Sequence, residues 1–447
     1  MQLPTKGNLI LEFVFWAFLG PCGTAGGPEG KEAPAPGKDD ARTPNIVLII
    51  SDDHCWTDYS FMGHEHVRTP SLDKLASQSL VFRRGYVPSS LCCPSLATII
   101  TGLYPHQHKV TCNDPPRPPE LKLKPKEYYS SEAFREGREV MSRHLEAVST
   151  LPRLLAQKGY LSLQTGKWWQ GDHRRGGFTD GMTKGIRHGD EGLKIGRETL
   201  QPIRDFIQAA RKEKKPFFVW YAPMMPHDPH DPPLHLLEKY EAKAPDPQTA
   251  RYWAMVEWFD ESCGHLLDHL EAQGLSESTL VLYLADNGWI QGPEGFAPKS
   301  KTSPYDGGLR TPIMVRWPGK VKPRASEDLA MSIDLVPTIL AAVGMRPASE
   351  MQGINLLDEE ALRQRKVIFG ECFTHDAVDL NDPSKNLLWR WMIEDRWKII
   401  VPSQPEKKIE LYDLLADPKE DLDLAGKKPD LADSMRGKLD SWWKPGP

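Results

Sequence analysis

The chain has 447 residues, of which 39% are apolar and 26% charged, as in ordinary soluble globular proteins. A chain of this length is too long to fold around a single hydrophobic core, so we expect a large domain and a smaller one. The formal net charge of -5 argues against nucleic acid as a partner, because nucleic-acid binding requires a basic surface. An anionic substrate would therefore need a local positive pocket.

The first 25 residues have the pattern of an export signal. Lys6 precedes an apolar stretch from Leu9 to Leu19, and the small residues Gly23 to Ala25 offer a cleavage site. The stretch is too short for a stable membrane span, and the Pro/Gly-rich linker at 26–43 gives a buried helix nothing to pack on. Because the chain lacks Asn-x-Ser/Thr sites, we expect export to a bacterial periplasm or the extracellular space.

Buried strands and helices alternate through the main part of the chain. Continuous apolar runs rich in β-branched and aromatic residues predict strands at 45–50, 217–221, 279–284 and 312–317. Helical periodicity is found between and after them, at 71–79, 150–158, 198–212, 250–273 and 332–343. This alternation predicts an α/β sandwich with a mostly parallel central sheet over residues 44–365.

The last 82 residues, 366–447, have a different pattern. Short strands follow one another without intervening helices, at 366–369, 387–393, 397–401 and 410–413, and a helix is predicted at 431–443. We therefore expect a small C-terminal α+β domain with an antiparallel sheet.

Polar residues come directly after two of the predicted buried strands. Asp52 and Asp53 follow the first strand, and Asp286 and Asn287 follow the strand at 279–284. Ligands of open α/β sheets gather at the carboxyl ends of strands, so these side chains could meet in one crevice. Their oxygen atoms suit Ca²⁺ or Mg²⁺ better than Zn²⁺. The alternative is that both segments are simply polar turns.

Cys92 is predicted to begin a helix. Pro94 and Ser95 are typical of a first helical turn, where backbone N–H groups and the helix dipole favour an anion. Such a position permits a thiolate of low pKa. The alternative is a structural cysteine.

The run from Cys92 to Gly102 resembles the signature of the type I, formylglycine-dependent sulfatases of the alkaline-phosphatase-like superfamily. Other segments resemble further motifs of that family in the same order, namely Asn45 to Asp53, Gly166-Lys167-Trp168, Pro226-His227-Asp228-Pro229, Asp286-Asn287-Gly288, Lys301 with Tyr305 to Pro312, Ser332 to Thr338, and Glu410 to Asp413. The resemblance spans nearly all of the mature chain. It implies a secreted bacterial member with an alkaline-phosphatase-like sandwich.

The resemblance also implies a mechanism. A maturation enzyme would oxidise Cys92 to formylglycine, whose hydrated gem-diol attacks sulfur through one oxygen and later expels sulfate through the other. One divalent cation, Ca²⁺ or alternatively Mg²⁺, would be held by Asp52, Asp53, Asp286, Asn287 and the modified Cys92. Lys167 and Lys301 would balance charge on the sulfuryl oxygens, and His227, with Lys301, would protonate the leaving oxygen.

Two positions depart from the family pattern. Leu96 replaces an arginine that helps to position formylglycine, and Trp169 replaces a histidine that serves as a base. Leucine offers no polar group, and an indole cannot accept a proton. We expect His173, Arg174 or Arg175 to replace the missing groups; a slow or poorly matured enzyme and an inactive binder are the alternatives.

The expected activity is hydrolysis of a sulfate monoester on a sulfated glycan or small molecule. The alternatives are a phosphoester or phosphonate hydrolase of the same superfamily and a catalytically impaired, glycan-binding protein. Sulfate monoesters carry less charge than phosphate monoesters, so a one-metal pocket favours sulfate.

Overall fold

A mixed sheet of eight strands lies at the centre of the fold in the computed structural model, which describes residues 43–118 and 124–446. The predicted export signal at 1–25 and the linker up to residue 42 lie outside the described residues. The strands are β1 (Asn45–Ser51), β2 (Leu80–Tyr86), β3 (Leu161–Gly166), β4 (Asp180–Gly181), β5 (Phe217–Ala222), β6 (Thr279–Ala285), β7 (Gln291–Gly292), β8 (Gly295–Phe296), β9 (Ile313–Arg316), β10 (Arg324–Met331), β11 (Val367–Phe373), β12 (Leu387–Glu394), β13 (Trp397–Pro402) and β14 (Glu410–Asp413).

The strand order in the central sheet is β10-β2-β9-β6-β1-β5-β3-β4. All neighbouring pairs are parallel except those of β9, which runs antiparallel to β2 and β6. The predicted, mostly parallel sheet is confirmed. Strand β1 lies between β5 and β6, with Val47 opposite Val219 and Val281, so apolar residues face neighbours on both sides.

Helices cover both faces of this sheet. They are α1 (Pro70–Ser77), α2 (Cys92–Thr101), α3 (Pro105–His108), α4 (Pro125–Tyr129), α5 (Glu132–Glu146), α6 (Leu151–Ala156), α7 (Gln201–Glu213), α8 (Leu234–Leu237), α9 (Pro247–Ala272), α10 (Asp306–Leu309), α11 (Leu335–Ala342), α12 (Glu359–Gln364), α13 (Pro383–Asn386) and α14 (Pro429–Trp442). Alternate residues of β1 enter two hydrophobic cores. Leu48 packs on the side of α2 and α11, and Val47 on the side of α1, α7 and α9, which confirms the α/β sandwich.

A second, four-stranded antiparallel sheet follows in the order β11-β12-β13-β14. Helix α14 covers one face, where Met392, Ile399, Met435 and Leu439 form a separate core. The predicted combination of a small antiparallel sheet and a C-terminal helix is therefore confirmed. Among the described residues, none of the helices is long and apolar enough to cross a membrane.

Candidate active site

The candidate site lies at the carboxyl ends of four adjacent strands in the order β6-β1-β5-β3. Asp286 follows β6, Asp52 follows β1, His227 comes after β5, and Lys167 follows β3. Parallel strands end at the same edge of a sheet, so residues far apart in sequence meet there. The first turn of α2 adds Cys92, whose Sγ lies within 4.8 Å of ligand atoms of Asp52, Asp53 and His227.

The acidic side chains are buried and only partly satisfied. Asp53 Oδ1 accepts a hydrogen bond of 2.6 Å from Asn287 Nδ2, and Asp53 N–H donates to Asp286 Oδ1 at 3.2 Å. Asp52 Oδ2, Asp286 Oδ2 and Asn287 Oδ1 are buried with no hydrogen-bond partner among the described residues. Unpartnered buried acceptors are costly, and a hard divalent cation would satisfy all three. The donor set thus fits the cation that the sequence implies.

Two buried lysines neutralise part of this charge. Lys167 Nζ lies 2.6 Å from Asp52 Oδ1 and 3.7 Å from Asp286 Oδ2, and Lys301 Nζ lies 2.7 Å from Asp53 Oδ2. Although burial opposes it, the charges of Lys301, His227 and Lys167 hold the pKa of Asp53 well below its usual value. Burial and the charge of Asp52 raise the pKa of Asp286 well above its usual value. A dication would offset this mutual repulsion between carboxylates.

Cys92 and His227 face the two lysines. Burial raises the pKa of the Cys92 thiol, but Lys167 and Lys301 outweigh it and lower the value to about 7. His227 Nε2 lies 3.5 Å from Asp53 Oδ2, while Nδ1 donates to the carbonyl oxygen of Asp228 at 2.6 Å. Burial lowers the pKa of His227, yet Asp52 and Asp53 raise it to about 10 overall. The two carboxylates therefore favour the protonated form of the His227 imidazole.

The two positions that depart from the family pattern are both filled by buried apolar groups. Leu96 is 3% exposed and packs in the core between α2 and the sheet. Trp169 is also 3% exposed and contacts three cations, with Arg187 Cζ 4.9 Å, Arg138 Cζ 5.2 Å and Lys167 Nζ 5.9 Å from its ring. Trp169 thus holds cationic side chains beside the site through cation–π contacts.

The three residues expected to replace the missing groups, His173, Arg174 and Arg175, make their contacts away from the site. Arg175 pairs with Glu139 and Glu146, and Arg174 with Asp172. His173 Nδ1 bonds the carbonyl oxygen of Thr183. In the part of the chain that the structure describes, none of the three residues has a polar contact with Cys92, Lys167, His227 or Lys301. The structure therefore does not bring them together with the other predicted site residues.

Other groups around the site were not expected from the sequence. Arg187 and His188 extend toward Trp169 and His227, and Asp114 binds Arg187. Asn113 Oδ1 accepts a hydrogen bond of 2.9 Å from Cys93 N–H in the first turn of α2. In the sequence, these groups are indicated only by the basic pair Arg187 and His188 before Gly189, in a segment that has neither strand nor helix periodicity.

Comparisons with known proteins agree with this geometry. Residues 44–345 match the sulfatase family, and residues 299–442 match the C-terminal family of N-sulphoglucosamine sulphohydrolase. Human arylsulfatase A is 30% identical over 356 residues, 68% of this chain and 65% of its own length. Mouse N-acetylgalactosamine-6-sulfatase is 26% identical over 403 residues, 78% of this chain and 72% of its own. The chain thus spans about two thirds of these relatives.

Solved structures share the fold. A protein in complex with its substrate D-glucosamine-2-N,6-O-disulfate superposes with a TM-score of 0.67 at 20% identity, covering 90% of this chain and 99% of its own. A phosphonate monoester hydrolase of Agrobacterium radiobacter gives 0.66 at 18% identity, covering 89% of this chain and 95% of its own. Because the sulfatase match alone covers more than half of the sequence, the chain belongs to the sulfatase family, a family of sulfuric ester hydrolases.

Proposed function

We propose that this protein hydrolyses sulfate monoesters carried by carbohydrates, using formylglycine made from Cys92 by a maturation enzyme and one divalent cation. Calcium is the first choice of cation, with magnesium as the alternative. The observation that carries the proposal is the set of unpartnered oxygens on Asp52, Asp286 and Asn287 beside Cys92 and two buried lysines.

Each residue has a distinct role in this proposal. Asp52, Asp53, Asp286 and Asn287, with the modified Cys92, hold the cation. Bound there, a divalent cation supplies the positive charge that activates a nucleophile at neutral pH.

Two lysines and a histidine act on the substrate itself. Lys167 and Lys301 hold the sulfuryl oxygens by charge. His227 delivers a proton to the leaving oxygen from Nε2, because its Nδ1 is engaged with the carbonyl oxygen of Asp228.

The charge balance of the site favours an anionic substrate. The cluster contains three carboxylates, Asp52, Asp53 and Asp286, against two ammonium groups, Lys167 and Lys301. A dication and a protonated His227 would leave two net positive charges, which attract an ester anion such as the singly charged sulfate monoester. A phosphonate monoester carries the same single charge, and the fold shared with a phosphonate monoester hydrolase makes this the second candidate.

We infer a sulfated glycan as the substrate because a structural neighbour binds a sulfated glucosamine and the relatives include an N-acetylgalactosamine-6-sulfatase. In this proposal the catalytic domain covers residues 44–365 and the C-terminal subdomain residues 366–447. The protein is exported to the periplasm or the medium, as its first 25 residues indicate.

Sulfate release from phenyl sulfate and from sulfated monosaccharides, beside phosphonate release from a phenyl phosphonate monoester, tests the proposal. We expect sulfate release with calcium, and its loss by at least about 1,000-fold in Cys92→Ala. Cys263→Ala is the matched control, since Cys263 is a buried cysteine of helix α9 and lies in the hydrophobic core on the other face of the sheet. Faster phosphonate hydrolysis would favour the second candidate, and no release of either product would refute both.

A further inference from the structure

His188 lies beside the proposed catalytic groups without belonging to any of the motifs. Its ring packs edge-to-face on Trp169, with centroids 4.5 Å apart, and lies 5.7 Å from the ring of His227. Its carbonyl oxygen accepts a hydrogen bond of 3.1 Å from Trp168 N–H, directly after Lys167. The residue is therefore fixed at the end of β3, where Lys167 leaves the sheet.

The backbone around His188 is strained. His188 has φ 71° and ψ -19°, and Asp190 has φ 40° and ψ -113°, values that non-glycine residues rarely adopt. The carboxylate of Asp190 stabilises this loop by accepting hydrogen bonds from the backbone N–H groups of Lys184, Ile186 and Glu191. Strain of this kind persists where the surrounding structure enforces it, and it clusters at functional sites.

An ion pair determines which nitrogen of His188 carries the proton. Arg187 binds Asp114 through two parallel contacts of 3.0 and 2.9 Å, and its Nη1 lies 2.7 Å from His188 Nε2. Because a guanidinium group only donates, Nε2 must be the acceptor. The imidazole is then neutral with its proton on Nδ1. Burial and the positive charges of Arg187 and Lys167 also hold the pKa of His188 far below its usual value.

This leaves one N–H donor beside the groups that are proposed to bind the substrate anion. Among the described residues, Nδ1 of His188 has no hydrogen-bond partner. The imidazole lies 5.7 Å from the ring of His227 and packs on Trp169, whose indole also lies 5.9 Å from Lys167 Nζ, so it stands among the groups proposed to bind the sulfuryl group. A neutral N–H donor adds a directed hydrogen bond there without adding charge.

We propose that His188 is a substrate-binding residue that donates a hydrogen bond from Nδ1 to a sulfuryl oxygen, with Arg187 and Asp114 fixing its tautomer. The inference rests on the proposed function for the identity of the anion. The same contact would be made to the sulfate ion that is the product.

Calorimetric titration of inorganic sulfate into the calcium-loaded protein tests this proposal, because it requires neither turnover nor formylglycine. His188→Phe keeps the ring but loses the donor, and we expect it to bind sulfate about 10-fold more weakly. His188→Asn places an amide N–H near the position of Nδ1 and should stay within about 3-fold of the wild type. His144→Phe is the control, since His144 lies in helix α5 and bonds the carbonyl oxygen of Leu380.

Equal sulfate affinity in His188→Phe and the wild type would overturn the proposal. It would also be overturned if His188→Phe and His188→Asn weakened sulfate binding equally, or if the wild type bound no sulfate. If His188→Phe fails to fold, Arg187→Met tests whether Arg187 fixes the His188 tautomer and should weaken sulfate binding about 3-fold or more. Unchanged sulfate binding by Arg187→Met would also overturn the proposal. Failure of the proposed function is a separate result, namely absence of sulfate release by the wild-type protein.

Discussion

Asp53 shows how completely the residues of the site depend on one another. Its two carboxylate oxygens contact Asn287 and Lys301, its N–H contacts Asp286, and His227 lies 3.5 Å away. The sequence predicted Asp53 as a ligand from its place after a strand and from a family motif. It could not predict which lysine pairs with which aspartate, because those contacts depend on the strand order.

Calcium should stabilise the folded protein through this cluster. A ligand that binds only the native state at 100 times its dissociation constant adds about 2.7 kcal/mol to the free energy of unfolding. We expect thermal unfolding with and without calcium to show this gain in the wild type and to lose it in Asp286→Asn. Asp260→Asn should keep the gain, because Asp260 is a buried carboxylate that bonds the first turn of α1 instead. A gain of the same size in Asp286→Asn would contradict the assigned ligand set.

Restoring the family's histidine at position 169 should damage this protein. Trp169 fills a buried position and contacts Arg138, Arg187 and His188, so a smaller ring leaves a cavity and loses cation–π contacts. We expect Trp169→His to lower the free energy of unfolding by about 2–4 kcal/mol in urea denaturation. Trp169→Phe should cost less. A Trp169→His variant that is more stable and more active than the wild type would show that the tryptophan makes no useful contact and only removes the family's histidine.

The loop that carries His188 lies within the segment Arg187–Lys194 and depends on close backbone contacts with the end of β3. A Cβ atom on Gly189 would lie 2.5 Å from the carbonyl oxygen of Gly166 and 3.1 Å from Trp168 N. Gly189 also has φ 119°, which an L side chain rarely adopts. The loop can therefore reach the site only with glycine at this position.

Gly189→Ala should displace this loop. We expect a loss of more than about 1 kcal/mol in the free energy of unfolding, because neither the space nor the dihedral angle suits alanine. Sulfate affinity should fall as well, since His188 moves with the loop. Gly437→Ala is the control: its Cβ meets nothing within 4 Å in α14, so alanine should be neutral or slightly stabilising. Unchanged sulfate affinity in Gly189→Ala would argue against a role for the loop.

The sequence predicted β1, β5, β6, β9 and most long helices because their apolar patterns are strong. It missed β3, in which the polar residues Ser162, Gln164 and Thr165 interrupt the apolar pattern. It also missed β2 and β10, which carry charged residues, namely Arg83, Arg84, Glu327 and Asp328. It placed 312–317 correctly as a strand but gave no sign that β9 is antiparallel. Strand direction depends on connections, which periodicity does not contain.

A buried ionic cluster connects the second sheet to helix α10, which precedes the predicted domain boundary. Lys398 of β13 lies 2.8 Å from Asp306 in α10 and 2.8 Å from Glu420, and its side chain is fully buried. Asp306 N–H also donates to Glu420 at 2.6 Å. Residues before and after the predicted boundary at 365/366 thus share one set of buried charges.

Lys398→Met should leave two carboxylates buried without their cation and lower the free energy of unfolding by about 3–5 kcal/mol at pH 8. Burial, opposed by Lys398, raises the pKa of Glu420 to about 7 from 4.5. A raised folded-state pKa gives stability that is full below the unfolded value and lost as pH rises through the folded one. Loss of the lysine raises the folded pKa further, so the variant should be less impaired at pH 5.

Urea denaturation at pH 5 and pH 8 measures this difference. Lys438→Met is the matched control, because Lys438 pairs with Glu394 at the surface and should cost less than about 1 kcal/mol at either pH. A Lys398→Met variant that is equally stable at both pH values would contradict the pH dependence assigned to the cluster.

We propose that Cys92 becomes the aldehyde nucleophile of a metal-dependent sulfatase, although Leu96 and Trp169 depart from the family pattern. The most direct measurement is mass spectrometry of the peptide containing Cys92, from protein made in a host with the maturation enzyme. We expect the mass of formylglycine in place of the Cys92 thiol, with Cys93 unmodified. A peptide that retains the Cys92 thiol throughout would contradict it.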